Sequence, residues 1–276
     1  MPNSKPALRL APRCSLLLTL LAAGTALAQA PARPVYHPAQ LDCSRYRQQV
    51  RSTILLEAGR ERSRETTGRD GTLAVRASAA DTLLRLEAWF DTLTLWREGS
   101  GERLEPETDG VIGGRFRGML TRAGGFTESD RPFIPDEIAE VAEVGDALSE
   151  LFPPLPPIGL APGAAWTDPF GMVIMRIPDG SREGRRVERY RINRKLERTE
   201  SRLLSDSTEV RAQRSETETS VVEWSGELGP VRWDRDISVL VTVPRGGPVK
   251  QPFRSQIDQT VTVERLAGSC SGDPGS

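Results

Sequence analysis

The side chains that could act as a nucleophile, a general base or a metal ligand are few and widely spaced. The chain has one histidine, His37, and three cysteines, Cys14, Cys43 and Cys270. A Ser-His-Asp or Cys-His mechanism would have to use His37, which lies in a proline-rich stretch that supports a base poorly. We therefore interpret His37 as an exposed residue without a catalytic role. The spacing of the histidine and the cysteines predicts no metal site.

Sequence motifs for phosphate and nucleotide binding are also missing. No Gly-x-x-x-x-Gly-Lys-Ser/Thr loop occurs, and Gly113, Gly114 and Gly118 do not match the dinucleotide fingerprint, so we predict no cofactor. Carboxylates are plentiful, which leaves a hydrolase that uses two carboxylates as a third alternative. Because no pair of acids stands out, the sequence favours a protein that is not an enzyme.

The densest basic run lies between Arg185 and Arg198 and contains six arginines and one lysine. At strand spacing the run divides between two faces, with Arg189 on one side and Arg194 on the other. Interleaved glutamates dilute the charge further. We therefore interpret the run as a solvated face of a sheet.

Residues 1–30 resemble a secretory signal peptide. Lys5, Arg9 and Arg13 give a basic start, a short apolar stretch follows, and small-x-small cleavage patterns end at Ala28 and Ala30. The apolar stretch is too short for a comfortable membrane span, and no later stretch is long and apolar enough to cross a bilayer. We expect an exported protein, periplasmic or extracellular, with no transmembrane segment after cleavage.

The charge balance of the mature chain excludes one class of partner. Cleavage after residue 30 would leave 34 of the 37 basic groups against 38 acidic ones, a net charge near −4. A slightly acidic chain without a basic stripe is not typical of proteins that bind nucleic acid. We therefore predict no nucleic-acid partner.

Two cysteines, Cys43 and Cys270, remain after cleavage and flank nearly the whole mature chain. In an oxidising compartment this arrangement predicts one disulfide that ties the two ends together. The alternative is a pair of free thiols.

The segment from Pro132 to Trp166 organises the rest of the chain. Its apolar residues recur at helical spacing, which predicts one principal helix near residues 135–152. Pro153, Pro154, Pro156 and Pro157 then predict an extended, polyproline-like strap.

Both sides of this segment alternate apolar and polar residues, as in Ile237, Val239, Val241 and Val243, and predict about ten to twelve strands. Asp70-Gly71 predicts a hairpin turn. The fold class that follows is mainly β: a curved antiparallel sheet, or several, or a half-barrel, covered by one principal helix and a proline-rich strap.

The predicted organisation has four parts. A signal peptide (1–30) and a proline-rich, loose N-terminal arm (31–45) precede a single β-rich domain (46–268) and a flexible tail (269–276). Within the domain, residues 46–131 and 167–268 form two halves that residues 132–166 join.

The region from Val111 to Trp166 resembles a group of exported bacterial β-rich proteins of unknown function. The resemblance rests on the Pro-Gly-x-x-Trp segment formed by Pro162, Gly163 and Trp166, with further likeness at Trp233-Asp234 and in the ending 259–266. It implies no catalytic residue. The architecture is more distantly similar to periplasmic carriers of lipoproteins and lipids, which implies a binding function.

Two functions follow as expectations. The first is a non-catalytic protein that binds an apolar or lipid-like molecule between the sheet and the helix. The second is a structural or assembly partner of an envelope protein, without a small ligand. For the first function, the predicted pocket is lined by Phe116, Leu120, Leu148, Leu151, Phe152, Leu155, Val239 and Val241.

Overall fold

The structure, a computed structural model, describes residues 31–203, 209–245, 249–268 and 270. These residues belong to one compact unit, Pro31–Ser276. The predicted signal peptide and residues 269 and 271–276 of the predicted tail lie outside the described residues. Among the described residues, no helix has the length and apolar character that a membrane span requires.

The described chain is mainly β, as the alternating sequence predicts. Its strands are β1 (Ser44–Ala58), β2 (Glu61–Ala80), β3 (Leu83–Gly99), β4 (Glu102–Leu104), β5 (Phe116–Thr121), β6 (Phe126–Asp130), β7 (Ala165–Thr167), β8 (Val173–Arg182), β9 (Arg185–Leu203), β10 (Glu209–Ser225), β11 (Gly229–Val243) and β12 (Phe253–Arg265). Two short α-helices, α1 (Pro38–Leu41) and α2 (Asp136–Ala139), and one 3-10 helix (Ser149–Leu151) complete the regular elements.

All twelve strands form one antiparallel sheet with the order β6-β5-β3-β2-β1-β12-β11-β10-β9-β8-β7, and β4 pairs with β3. The sheet is open, because the order begins at β6 and ends at β7. β1 and β12 pair from Tyr46 opposite Arg265 to Ala58 opposite Phe253. This ladder joins the first six strands to the last six in a single sheet.

One side of the sheet carries the apolar core, and we call it the core-facing side. Tyr46, Leu73, Phe90, Tyr190 and Trp233 are buried there. The opposite side, which we call the outer side, carries rows of polar residues such as Arg47 and Asp70. We call residues 132–166 the central segment. Its apolar residues, among them Leu148 and Leu151, pack into the same core cluster.

The predicted principal helix over residues 135–152 is wrong. Helical structure there consists of α2 and the 3-10 helix, with turns between them. Val141, Val144 and Gly145 are weak helix formers in this stretch. The carbonyl of Glu143 accepts a hydrogen bond from the Arg69 side chain, and the Glu143 carboxylate accepts one from the backbone N–H of Gly145 at 2.8 Å. Both contacts compete with helical hydrogen bonding.

Residues 153–160, which contain the predicted strap, form neither helix nor strand. Isolated hydrogen bonds hold this stretch in place. The Tyr36 hydroxyl donates to the carbonyl of Pro153 at 2.9 Å, and the backbone N–H of Leu155 donates to the carbonyl of Ala123 at 2.9 Å.

Two further expectations need correction. Asp70-Gly71 is not a turn, because β2 runs straight through both residues. A Cβ at Gly71 would lie 2.9 Å from the Phe90 ring, so this glycine allows a close side-chain approach within the sheet. The N-terminal arm is not loose: α1 lies within it, and Tyr36 and Leu41 are fully buried.

Candidate functional site

The core-facing side of the sheet changes character along its strands. Near the disulfide it is apolar, but farther toward the β1–β2 hairpin a row of mainly polar residues crosses seven strands. Cross-strand pairing places these residues opposite one another in the order Arg194, Glu218, Ile237, Gln259, Ser52, Thr67 and Arg97. The row therefore marks a polar boundary on the floor of the sheet.

The next row toward the hairpin is more apolar. It contains Leu196, Glu216, Val239, Ile257, Ile54 and Glu65 in the same strand order. Val239 is buried, Ile54 and Ile257 are half-buried, and Leu196 is exposed. Apolar and charged side chains thus lie side by side on this part of the sheet.

Two adjoining cavities, of about 340 Å³ and about 420 Å³, lie between this part of the sheet and the central segment. Asp146, Glu150 and Gln259 line both cavities. Residues 139–143 form the wall of one cavity, and Ser149 and Pro154 contribute to the wall of the other. We call the two cavities together the charged groove.

Ion pairs occupy one end of the charged groove. Arg235 Nε lies 2.9 Å from Glu218 Oε1, and Arg214 Nη2 lies 3.1 Å from Glu216 Oε2. Arg194 bridges the two glutamates, since its Nη2 contacts Glu216 Oε1 and lies 3.7 Å from Glu218 Oε2. The guanidinium of Arg235 also stacks 4.4 Å from the ring centroid of Trp233. These pairs hold the charged side chains in fixed positions along the floor.

A second polar cluster fastens the central segment to the sheet. The Arg69 side chain, which is 3% exposed, donates to the Glu150 carboxylate and to the carbonyl of Glu143. Gln48 Nε2 donates to Glu150 Oε2 at 2.8 Å. Because a buried guanidinium without a carboxylate is costly, Arg69 and Glu150 depend on each other.

The carboxylate of Glu216 keeps its charge in this setting. Burial raises its pKa, but hydrogen bonding and attraction from Arg214 and Arg194 outweigh burial, and the pKa is lowered from the ordinary value of 4.5. A general acid needs a raised pKa near the working pH. Glu216 therefore suits an ion-pair role better than proton donation.

The lining of the charged groove combines apolar side chains with charged ones. Its two cavities fall in the size range of small-molecule sites. Within the described residues, no group of three His, Cys, Asp or Glu side chains could hold a metal ion.

The structure confirms the predicted disulfide between Cys43 and Cys270. Cys270 is buried against Trp89 and Ala74 on the outer side of the sheet. His37 is exposed, as predicted, and its Nδ1 lies 3.3 Å from Arg122 Nη1.

The eight residues of the predicted pocket separate into two groups. Six of them pack within the core cluster: Phe116, Leu120, Leu148, Leu151, Phe152 and Leu155. Val239 lines the charged groove instead, and Val241 is half-buried one row farther toward the hairpin end. The cavities thus lie beside the predicted cluster, and the structure brings only Val239 to them.

Sequence reasoning missed the charged residues of the groove. Arg194 belongs to the basic run that we interpreted as a solvated face, and although it is exposed, it forms part of the ion-pair network. The signal that could have identified the network is the alternation Arg214-x-Glu216-x-Glu218, which places three charges on the face that also carries Val222.

No protein-family model matches the chain, and a search of curated proteins finds no match.

Proposed function

We propose that this chain is an exported, non-catalytic protein that binds an amphipathic, lipid-like molecule in the charged groove. The observation that carries the proposal is the pair of adjoining cavities whose floor combines an apolar row with fixed ion pairs. An apolar chain would lie along Val239, Ile257 and Ile54, and a polar head would lie beside the arginines and glutamates.

The charged groove lies at a different position from the pocket that the sequence predicts. The ligand would still lie between the sheet and the central segment, but nearer the hairpin end than Leu148 and Leu151, whose side chains belong to the packed core. The proposal retains a curved or half-barrel form for the sheet, with the central segment covering part of one side.

A fluorescent fatty acid tests the proposal. The probe is 11-(dansylamino)undecanoic acid, whose emission rises when it enters an apolar site. Ile257 is half-buried on the floor of the charged groove, so Ile257→Trp should fill part of the groove. The indole should displace the probe from about one good apolar contact and weaken its binding about tenfold. Leu240→Trp is the matched control, because Leu240 is half-buried on the outer side of the adjacent strand.

Saturable probe binding that Ile257→Trp weakens and Leu240→Trp leaves intact would support the proposal. Absence of saturable binding, or equal loss in both variants, would contradict it. The envelope-partner function would then be the remaining expectation, and it would be pursued by crosslinking in the intact cell envelope.

A further inference from the structure

A tryptophan surrounded by arginines lies on the outer side of the sheet, away from the charged groove. Arg51, Gly68 and Trp96 are directly opposite one another on β1, β2 and β3. A Cβ at Gly68 would lie 2.2 Å from Trp96 Cε2, so the glycine lets the indole lie against the backbone of β2. The guanidinium carbons of Arg51 and Arg103 lie 5.8 Å and 4.9 Å from the indole centroid.

These side chains surround a hollow of about 510 Å³. Its lining includes three arginines, Arg51, Arg64 and Arg103, but one acid, Glu98. Leu55, which is 36% exposed, lies opposite Arg64 in the β1–β2 ladder and continues the surface. We define the Trp96 patch as Arg51, Leu55, Arg64, Trp96 and Arg103.

The arginines of the Trp96 patch differ from one another in their charge pairing. Some outer-side arginines lie beside acids, as in Arg47 with Asp70 at 2.7 Å and Arg232 with Asp234 at 2.6 Å. Within the patch Arg103 pairs with Glu105 at 2.6 Å. Among the ion pairs of the described residues, none involves Arg51 or Arg64. Both side chains therefore keep their donors for an external acceptor.

We propose that the Trp96 patch docks on the headgroup surface of an anionic phospholipid bilayer. Guanidinium groups match phosphate oxygens in geometry and charge. A half-buried indole beside an exposed leucine suits the boundary between headgroups and acyl chains. The chain as a whole has a net charge of −1, so attraction to an anionic surface must come from a local patch of this kind.

The proposal is independent of the charged groove, because the two surfaces lie on opposite sides of the same strands. Alternation along β1 places Val50 and Ser52 on the core-facing side and Arg51 on the outer side. Loss of vesicle binding and loss of probe binding can therefore be measured separately.

Vesicle sedimentation tests the docking. The full mature chain should bind vesicles of phosphatidylcholine mixed with phosphatidylglycerol and should not bind vesicles of phosphatidylcholine alone. The double variant Arg51→Gln with Arg64→Gln should lower the partition coefficient about 25-fold, because each arginine near the surface contributes about fivefold. The matched control is Arg191→Gln with Arg211→Gln, which changes two exposed outer-side arginines of β9 and β10.

Trp96→Phe supplies a second readout. Anionic vesicles should shift the tryptophan emission of the unsubstituted protein to shorter wavelength, and this shift should be lost in Trp96→Phe although the circular dichroism spectrum is unchanged.

Several results would overturn the proposal. They are the absence of binding to either vesicle, equal binding to both, and an equal loss in the control double variant. Displacement from the vesicles by inorganic phosphate at concentrations where sodium chloride of equal ionic strength has no effect would identify an isolated phosphate site instead of a lipid surface.

Discussion

The two ends of the core-facing side use the same strands in different ways. At the disulfide end, apolar residues such as Tyr190, Val222 and Val263 are buried beneath the central segment. At the hairpin end the alternation of apolar residues continues through Ile54 and Ile257, yet these side chains are only half-buried. The apolar strand pattern therefore continues past its covering segment and remains partly accessible to solvent.

The boundary between the two ends is polar on both the sheet and the central segment. Arg69 from the sheet meets Glu150 from the segment, and both line the charged groove. Such a boundary separates a packed interior from an accessible floor. Substitutions on its two sides should therefore differ in their effect on the free energy of unfolding.

The largest effect is expected from a charge placed at the covered end. Leu148→Asp should destabilise the protein by about 4 kcal/mol, because Leu148 is 2% exposed and the carboxylate would be buried without a partner. Ile257→Asp, at the open end, should cost about 1 kcal/mol, since its carboxylate can remain in water and the loss is mainly strand preference. Urea denaturation followed by far-ultraviolet circular dichroism measures both.

Equal losses in the two variants would show that the hairpin end is packed as tightly as the disulfide end, and the comparison would fail. Glu137→Ala serves as a surface control within the central segment. It should cost about 0.5 kcal/mol, the usual scale of exposed substitutions, because its side chain is exposed.

A smaller effect is expected at the boundary itself. Arg69→Met should destabilise by about 3 kcal/mol, because it leaves the Glu150 carboxylate without its guanidinium partner. Adding Glu150→Gln to this variant should recover part of the loss, since the second charge is then removed as well. A double-mutant cycle by urea denaturation measures the coupling. Additive losses would indicate that the two side chains do not stabilise each other.

Much of the fold could be predicted from local pattern. Period-two alternation identified β11 and β12, and the wide separation of Cys43 and Cys270 identified the disulfide. The prediction of a helix over residues 135–152 failed because its apolar spacing also occurs in irregular segments that pack one side against a core. Arg69, which is distant in sequence, donates a hydrogen bond to the carbonyl of Glu143, and local spacing does not reveal such a contact.

The charged groove could not be predicted for a related reason. Its floor requires the register of seven strands, and Arg194 and Arg97 reach the same row only when every ladder is in place. A shift of one residue in any ladder would move that strand's side chains to the other side of the sheet. The turn prediction at Asp70-Gly71 was wrong for the same reason. Gly71 and Gly68 accommodate the side chains of Phe90 and Trp96, which come from another strand.

The smallest effect is expected from acid titration at the open end. The pKa of Glu216 is lowered because hydrogen bonding and attraction from Arg214 and Arg194 outweigh burial, which acts in the opposite direction. A lowered pKa in the folded state means that the unfolded chain binds the proton more readily as pH falls. The contribution of the Glu216 carboxylate to the free energy of unfolding is therefore fully present above its pKa in the unfolded chain. It is lost as pH falls through the pKa of Glu216 in the folded protein. A carboxyl carbon titration by NMR should place the midpoint of Glu216 below 4.5, and Arg214→Gln should move it upward. A midpoint at or above 4.5 in the unsubstituted protein would mean that the arginines do not hold this carboxylate, and that the open end lacks the fixed charges that set it apart from the covered end.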